Sequence, residues 1–341
     1  KHMLTCTSIV IQFEDWKEPF WSLERYRDLY TCFNDDIQGT GSVILGGMVA
    51  AVKHSGIDIK DHRAIFLGSG SAGVGVAKQI VEYFVKEGGI TEDEARKKFW
   101  LVDSKGLVTN DRGDKLAEHK VYFSRDDNNG KQIQSLSELI EHVKPTILMG
   151  LSTIGGAFDA NILKKMAELN TNPIIFPLSN PSSKSECTFE EAVKNTDGRV
   201  LFAAGSPFPE MEWKGKKMTP GQGNNMYVFP GIGLGAILSK SVSVTGEMIY
   251  ASAISLSESL NEEEKKAGWL YPDIRRIRDV SVLVTRGVIR AAQKSGVDRE
   301  LSIRGLDDAE LDEYIKARMY DPFKENERMK EEVQSVIGGL A

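Results

Sequence analysis

Short apolar runs and amphipathic segments alternate along the middle of the chain. The apolar runs predict strands at 64–67, 99–102, 145–150, 173–178 and 200–204. The amphipathic segments between them predict helices at 74–84, 136–143, 158–169 and 189–195. Strands that alternate with helices of modest length are typical of an α/β fold with a doubly wound parallel sheet of the Rossmann type. Further helical segments are predicted on both sides of this region, the first of them at 23–30.

A glycine-rich turn follows the first of these strands. The sequence reads Gly68-Ser69-Gly70-Ser71-Ala72-Gly73 and leads directly into the helix at 74–84. In this context the first glycine permits a tight turn, the second lets a pyrophosphate approach the backbone, and the third lets helix and strand pack closely. We therefore predict cofactor-binding roles for Gly68, Gly70, Ser71, Ala72 and Gly73. The alternative is a glycine turn that binds nothing.

An acid stands where a ribose-binding acid is expected. Asp103 ends the predicted strand at 99–102, and the charged stretch 86–98 explains why it follows Gly73 at a longer interval than usual. Ser104, Lys105 and Lys120 come next, and lysines here suit the 2′-phosphate of NADP, although they also suit a solvated surface. Asp103 itself favours the ribose hydroxyl of NAD. We favour NADP, with use of both nucleotides left open.

Acids also cluster in the first forty residues. A predicted strand at 7–13 ends in Glu14 and Asp15, whose side chains converge only if the chain bends there. Asp35 and Asp36 lie in a turn before a helix at 42–53 that is apolar nearly all round and is therefore expected to be buried. Carboxylates leading into a buried helix need partners, and Mg²⁺ or Mn²⁺ is one solution. The alternative is that these two acids cap the helix in solvent.

Small and amide residues follow other predicted strands. Ser152 begins a loop of small residues that would let a cofactor lie close to the backbone, and Asn180 offers donors and an acceptor unless it only forms an Asx turn. Asn224 and Asn225 stand between glycines and an apolar run, which suggests a ligand-facing edge. The glycines of 229–235 resemble a second dinucleotide turn, but we interpret them as tight packing of an apolar helix.

Composition narrows the class of protein. The 341 residues suggest two or three domains, and the net charge of −6 argues against a nucleic-acid partner. No apolar run approaches the roughly 20 residues of a membrane span. The three cysteines lack metal or disulfide spacing, so we expect an intracellular protein, cytoplasmic or mitochondrial. The first three residues look like an expression remnant, and targeting information is not expected in this sequence.

A series of longer motifs carries a family resemblance. In order they read IQFEDW, FNDDIQGT, LGSGSAG, VDSKGL, IGGAF, PLSNPSSKSEC, AAGSPF, PGQGNNMYVFPG and LYPDIRRIRDVS. This series, spanning about 11–292, resembles the malic enzymes. The resemblance implies oxidative decarboxylation of malate to pyruvate and CO₂, with NAD or NADP and with Mg²⁺ or Mn²⁺.

The resemblance also implies roles for individual residues. The three metal carboxylates of the family fall on Glu14, Asp15 and Asp36, and Asp35 lies at a position beside the metal that is associated with proton transfer. The loop of Ser152 would line the nucleotide. Substrate and nicotinamide contacts fall on Asn180, and malate contacts fall on Asn224 or Asn225.

The resemblance further implies a domain plan. Residues 36–224 would form the NAD(P)-binding domain, 1–35 and 225–297 a remnant of the metal and substrate domain, and 298–341 a C-terminal helical tail. In the family a further N-terminal region carries a catalytic tyrosine, a catalytic lysine and a malate-binding arginine, so we expect this chain to be the C-terminal part and to be nearly inactive on malate alone. The intact enzyme would be a homo-oligomer, a dimer or a tetramer.

Two other classes of function remain open at this point. The chain could be an isolated nucleotide-binding module without catalysis. It could also be another hydroxy-acid dehydrogenase, against which the acids Glu14, Asp15 and Asp36 argue, because a metal-free dehydrogenase does not need them.

Overall fold

The computed structural model describes residues 9–15, 19–113 and 115–321. The described chain contains eleven strands: β1 (Ile11–Phe13), β2 (Cys32–Asn34), β3 (Ala64–Leu67), β4 (Phe99–Asp103), β5 (Gly106–Leu107), β6 (Ile147–Gly150), β7 (Ile174–Pro177), β8 (Leu201–Ala204), β9 (Met211–Trp213), β10 (Lys216–Met218) and β11 (Gly221–Gln222). Seven of them form one sheet in the order β11-β8-β7-β6-β3-β4-β5. Every pairing in it is parallel except β4 with β5.

The order of the strands creates a switch point beside β3. The chain passes from β3 to β4 on one side and later returns to β6 on the other. In doubly wound sheets, ligands bind outside the carboxyl ends of the strands where the order reverses in this way. The predicted α/β class and the Rossmann-type sheet are confirmed, and the glycine-rich turn leaves β3 at this switch point.

Helices cover both faces of the sheet. The α-helices of the described residues are α1 (Pro19–Tyr26), α2 (Thr40–Ser55), α3 (Ser71–Gly88), α4 (Glu92–Arg96), α5 (Glu118–Val121), α6 (Leu136–Val143), α7 (Ala160–Leu169), α8 (Phe189–Asn195), α9 (Phe229–Leu238), α10 (Gly246–Glu258), α11 (Glu262–Ala267), α12 (Ile277–Lys294) and α13 (Asp308–Lys316). Successive residues of a strand point to opposite faces. Accordingly Phe66 joins the core on the side of α2 and α3, and its neighbour Ile65 joins the core on the side of α6, α7 and α8.

Helix α2 lies between the sheet and a layer of helices formed by α9, α10 and α12. Thirteen of its sixteen residues are buried, as the all-round apolar pattern predicted. Its glycines allow neighbours to come very close. A Cβ atom built on Gly47 would lie 2.2 Å from the Tyr271 hydroxyl, and one built on Gly46 would lie 2.9 Å from the Leu256 side chain. The helix is thus packed tightly on the side away from the sheet as well.

The glycine run at 229–235 lies in α9, as we interpreted it. Cβ atoms built on Gly231 and Gly235 would lie 2.5 and 2.6 Å from side-chain atoms of Val284 and Val288 on α12. These two glycines therefore serve helix packing. The segment after α12 forms α13, whose buried Leu311 and Ile315 join a small core with α12.

Some predicted elements have different bounds. The helix predicted at 23–30 is α1, Pro19–Tyr26, because the chain turns after Tyr26 to enter β2. Strand β2 was not predicted, since it has only three residues and pairs in parallel with β1. The part of the predicted strand at 7–13 before residue 9, and the part of the predicted tail beyond residue 321, lie outside the described residues.

No helix in the described ranges has both the length and the apolar character needed to cross a membrane.

The division of the chain into domains at residues 35, 225 and 298 stays a prediction. Helix α2 belongs to the predicted nucleotide domain, and α10 belongs to the predicted metal and substrate domain. Helix α2 packs against α10 as well as against α3.

A histidine is buried where α2, α3 and the sheet meet. The side chain of His62 is fully buried; its Nδ1 lies 2.8 Å from the Thr146 hydroxyl and its Nε2 lies 3.3 Å from the Ser55 hydroxyl. Burial penalises the charged imidazolium and lowers the pKa of His62 to about 4.

This histidine predicts a loss of stability in mild acid. An unfolded histidine takes up a proton near pH 6.5, whereas the pKa of His62 in the folded chain is about 4. The contribution of neutral His62 to the free energy of unfolding is therefore complete above pH 6.5 and is lost as the pH falls toward 4. Between pH 7 and pH 5 the free energy of unfolding should fall by about 2 kcal/mol from this group alone. Urea denaturation at the two pH values measures the change. His62→Gln should remove most of it and His54→Gln should not; an unchanged loss in His62→Gln would contradict the assignment.

Candidate functional site

The glycine-rich turn joins β3 to α3 in a tight conformation. Gly68 has a φ of +117°, and a Cβ atom built on it would lie 2.3 Å from the Leu151 carbonyl oxygen. A Cβ atom on Gly73 would lie 2.2 Å from the Gly68 carbonyl oxygen. A Cβ atom on Gly70 would meet nothing within 4 Å. The first and third glycines are therefore required by packing, and the second leaves space in front of the α3 N-terminus, as a bound pyrophosphate requires.

The Asp103 carboxylate lies at the end of β4 and holds two cations. It accepts two hydrogen bonds from the Arg112 guanidinium, at 2.9 and 2.8 Å, one from Lys120 Nζ at 2.7 Å, and one from the Lys105 backbone N–H at 2.9 Å. Burial works to raise the pKa of Asp103, but the bonds from Arg112 and Lys120 outweigh it and hold that pKa well below its usual range. The Asp103 carboxylate is thus held in its charged form by the two cations.

This arrangement changes the sequence-based picture of the ribose site. Asp103 was expected to favour the ribose hydroxyl of NAD, and its oxygens already receive four hydrogen bonds within the chain. Lys120 was predicted to lie at this site and does, while Ser104 and Lys105 lie in the exposed turn after β4. Arg112 was missed. The sequence shows only an arginine nine residues after Asp103. The fold is needed to show that its side chain returns to the Asp103 carboxylate.

Three carboxylates of the N-terminal segment come together. Oxygens of Glu14, Asp15 and Asp36 all lie within 4.8 Å of one another. The bend that the sequence required is present, because Asp15 has a φ of +54° and its backbone N–H donates to Asp36 Oδ2 at 3.0 Å. An all-oxygen, all-anionic set of this kind suits a hard divalent cation such as Mg²⁺ or Mn²⁺.

A fourth carboxylate is buried beside these three. Asp35 begins a short π-helical turn, Asp35–Gly39, that leads into α2. Its Oδ2 accepts a hydrogen bond from Asn225 Nδ2 at 2.9 Å, and its buried Oδ1 receives none from the described residues. Burial raises the pKa of Asp35, and the bond from Asn225 opposes the rise. Partial burial, followed by the charges of Asp35 and Asp36, also raises the pKa of Glu14. The cluster therefore carries negative charge that no cation of the described chain balances.

The predicted asparagines are placed differently from one another. Asn225 bridges the Asp35 carboxylate and the Thr40 hydroxyl, so it joins the acid cluster. Asn224 Oδ1 accepts the Met226 backbone N–H at 3.0 Å and caps a short turn. Asn180 is exposed after β7, where its Oδ1 accepts the Ser206 hydroxyl at 2.6 Å.

The nucleotide turn and the acid cluster belong to one edge of the sheet. Strand β11 pairs in parallel with β8, so the Asn224–Asn225 segment leaves the sheet at the carboxyl edge, the edge that also carries Gly68. Asn225 then reaches the acids. The structure thus places the metal-type carboxylates and the dinucleotide turn at the same edge of the sheet, which sequence separation alone does not show.

Comparison with known proteins agrees with this arrangement. Residues 37–293 match the family model described as "Malic enzyme, NAD binding domain". The chain belongs to the malic enzyme family. The predicted resemblance is confirmed, and with it the NAD(P)-binding character of the α/β domain.

The relatives and solved structures are themselves malic enzymes. The NADP-dependent malic enzyme of Dictyostelium discoideum is 46% identical over 92% of this chain, and the chloroplastic NADP-dependent malic enzyme 4 of Arabidopsis thaliana is 42% identical over 92%. The match covers 57% and 48% of those proteins, so the chain spans about half the length of the curated relatives it matches. The Entamoeba histolytica malic enzyme structure has a TM-score of 0.69 and 25% identity, covering 96% of this chain and 62% of its own. The Pyrococcus horikoshii malic enzyme also has a TM-score of 0.69, with 26% identity over 90% of this chain and 65% of its own.

The middle glycine of the turn offers a test of nucleotide binding in this malic enzyme chain. Gly70 has an ordinary φ of −70° and open space around it, so Gly70→Ala should cost no more than about 1 kcal/mol of unfolding free energy. The added methyl group would occupy the approach of the pyrophosphate, and we expect NADP binding to weaken at least tenfold by calorimetric titration. Gly246→Ala, at another open glycine at a helix start, should bind normally. Equal affinity in Gly70→Ala would show that the turn does not hold the nucleotide.

Proposed function

We propose that this chain supplies the nucleotide and metal sites of an enzyme that carries out the oxidative decarboxylation of malate to pyruvate and CO₂, with reduction of NADP and with Mg²⁺ or Mn²⁺, and that the chain alone has little activity. The observation that carries the proposal is the contact between Asn225 and Asp35 beside Glu14, Asp15 and Asp36, at the edge of the sheet that bears the Gly68 turn. A metal-free dehydrogenase needs no such acid cluster, and an isolated nucleotide-binding module needs neither the cluster nor its link to the sheet.

The carboxylates would supply the metal site. Glu14, Asp15 and Asp36 would hold the divalent cation, which, when bound, polarises the oxygen on C2 of the substrate as a Lewis acid. The Asp15 backbone N–H donates to Asp36 and fixes the orientation of that carboxylate. The left-handed conformation of Asp15 lets its own side chain lie beside Asp36. The cation would relieve the repulsion among the grouped carboxylates.

Asp35 is the proposed catalytic residue among the acids. Asn225 holds its Oδ2, and the buried Oδ1 receives no hydrogen bond from the described residues, so it is available to hold or pass a proton. Asn225 would thereby position Asp35, and Asn224 and Asn180 would contribute polar contacts to malate near the nicotinamide. Ser152 would contribute through the loop after β6.

The nucleotide would be held along the glycine-rich turn. The α3 N-terminus would receive the pyrophosphate beside Gly70, with Ser71 and Ala72 at its exposed first turn. Arg112 and Lys120 donate to Asp103 through their side chains and Lys105 through its backbone N–H, and the Lys120 cation beside the acid suits a 2′-phosphate. The names of the relatives, NADP-dependent malic enzymes, agree with NADP as the preferred cofactor.

Lys120 offers a test of nucleotide preference. Lys120→Gln removes a cation and leaves more of the Asp103 charge uncompensated, which would repel a 2′-phosphate. We expect the Kd for NADP to rise about tenfold, in line with about 1.5 kcal/mol for a charge-assisted hydrogen bond, while the Kd for NAD changes less than twofold. Lys131→Gln, which removes an exposed cation paired with Glu138, should change neither. Equal factors for NADP and NAD in Lys120→Gln would contradict the assignment.

Mn²⁺ titration tests the acid cluster, with electron paramagnetic resonance reporting free Mn²⁺. The wild-type chain should bind one Mn²⁺ at this cluster, and Asp36→Asn should weaken that binding at least tenfold because it removes an anionic ligand. Asp28→Asn, an exposed acid on the preceding turn, serves as the matched control and should leave binding unchanged. Wild-type affinity in Asp36→Asn would show that the acids do not form the metal site.

A further inference from the structure

A buried carboxylate lies between the loops that follow β6 and β7. Glu186 is fully buried, and its hydrogen-bond partners among the described residues are serines rather than cations. Its Oε1 accepts the Ser152 backbone N–H at 2.9 Å, the Ser152 hydroxyl at 2.7 Å and the Ser179 hydroxyl at 2.5 Å, and its Oε2 accepts the Ser179 N–H at 3.4 Å. One side chain therefore binds two loops that belong to different strands.

The network continues from these serines into the loop after β6. The Thr153 N–H donates to the Ser179 hydroxyl at 2.8 Å, and the Ile154 N–H donates to the Ser152 hydroxyl at 3.1 Å. Thr153 has a φ of +58°, a left-handed conformation that β-branched residues rarely adopt. The hydrogen bonds around Glu186 thus hold this loop in a conformation that its sequence alone disfavours.

The end of β6 is shaped to admit this carboxylate. A Cβ atom built on Gly150 would lie 2.4 Å from the carboxyl carbon of Glu186. Glycine at this position therefore leaves the space that Glu186 fills. The Phe158 N–H also donates to the Glu186 carbonyl oxygen at 2.8 Å, which fastens the far end of the same loop.

The loop after β6 packs directly against the glycine-rich turn. A Cβ atom built on Gly68 would lie 2.3 Å from the Leu151 carbonyl oxygen and 2.9 Å from the Ser152 nitrogen. The strand order at this point is β6-β3-β4, with Asp103 at the end of β4. A dinucleotide with its adenosine ribose near Asp103 and its pyrophosphate at β3 must extend its other half over the loop after β6.

We propose that Glu186 is a positioning residue for the nicotinamide half of the cofactor. It acts through Ser152 and Ser179, which hold the loop from Leu151 to Gly156 against the glycine-rich turn. This inference rests on the proposed binding of NADP. It assigns a role to a residue outside the glycine-rich turn and the ribose acid.

The test compares two ligands in the full 341-residue chain. One is NADP; the other is adenosine 2′,5′-bisphosphate, which carries the adenosine half and lacks nicotinamide. Glu186→Gln keeps the size of the side chain, removes the negative charge that the Ser152 and Ser179 donors bind, and places an NH₂ donor against the Ser179 backbone N–H. We expect it to weaken NADP binding at least tenfold and to leave the bisphosphate within twofold of wild type, as measured by calorimetric titration.

Two further variants keep the test decisive. Ser179→Ala removes the link from Thr153 to Glu186 and should weaken NADP selectively in the same way if Glu186→Gln folds poorly. Glu191→Gln is the matched control, because Glu191 is an exposed acid five residues later that caps α8 with no contact to the loop. It should change neither affinity.

Each result has a definite meaning. Selective loss of NADP affinity in Glu186→Gln and Ser179→Ala supports the positioning role. Unchanged affinities, or equal loss of both ligands, would overturn it, since equal loss indicates a structural role only. If wild type binds neither ligand, the proposed nucleotide function of the chain fails first, and this inference fails with it.

Discussion

The burial of α2 is the constraint on which the site depends. A helix that lies between a sheet and a second layer of helices has no solvent face, and its neighbours fix its position on all sides. Gly46 and Gly47 bring α10 and Tyr271 closer than any side chain would permit. Because the Asp35–Gly39 turn is continuous with this helix, the direction of Asp35 and Asp36 is set by core packing rather than by a loop.

The same packing relates the two halves of the site. A Cβ atom built on Gly41, in the first turn of α2, would lie 2.1 Å from the Gln79 amide on α3, so the helix that carries the acids touches the helix that follows the glycine-rich turn. Hydride transfer between a metal-bound substrate and a nucleotide tolerates little error in distance. Two helices in direct contact supply a more rigid frame for that distance than connecting loops would.

Much of the sheet and the glycine-rich turn could be predicted because local pattern decides them. The helices Leu136–Val143 and Phe189–Asn195 were predicted to the residue, since each has a clear polar start and an apolar face. The contacts that complete the site are different. Asn225 reaches Asp35 across 190 residues, and Arg112 folds back onto Asp103 from a separate loop. The sequence marked Asn225 as a ligand-facing residue but not its partner, and it gave no sign of Arg112, so only the fold reveals these contacts.

Two buried carboxylates, Glu186 and Asp35, differ in how completely they are hydrogen-bonded, and this difference indicates different roles. Glu186 receives four hydrogen bonds, so it is already satisfied and holds two loops in place. Asp35 has one oxygen bound to Asn225 and one that receives no hydrogen bond from the described residues. An unpaired buried oxygen costs free energy comparable to a lost hydrogen bond, and a fold retains that cost where a ligand removes it. This difference agrees with the proposed roles, in which Glu186 holds loops in place and Asp35 faces substrate and cation.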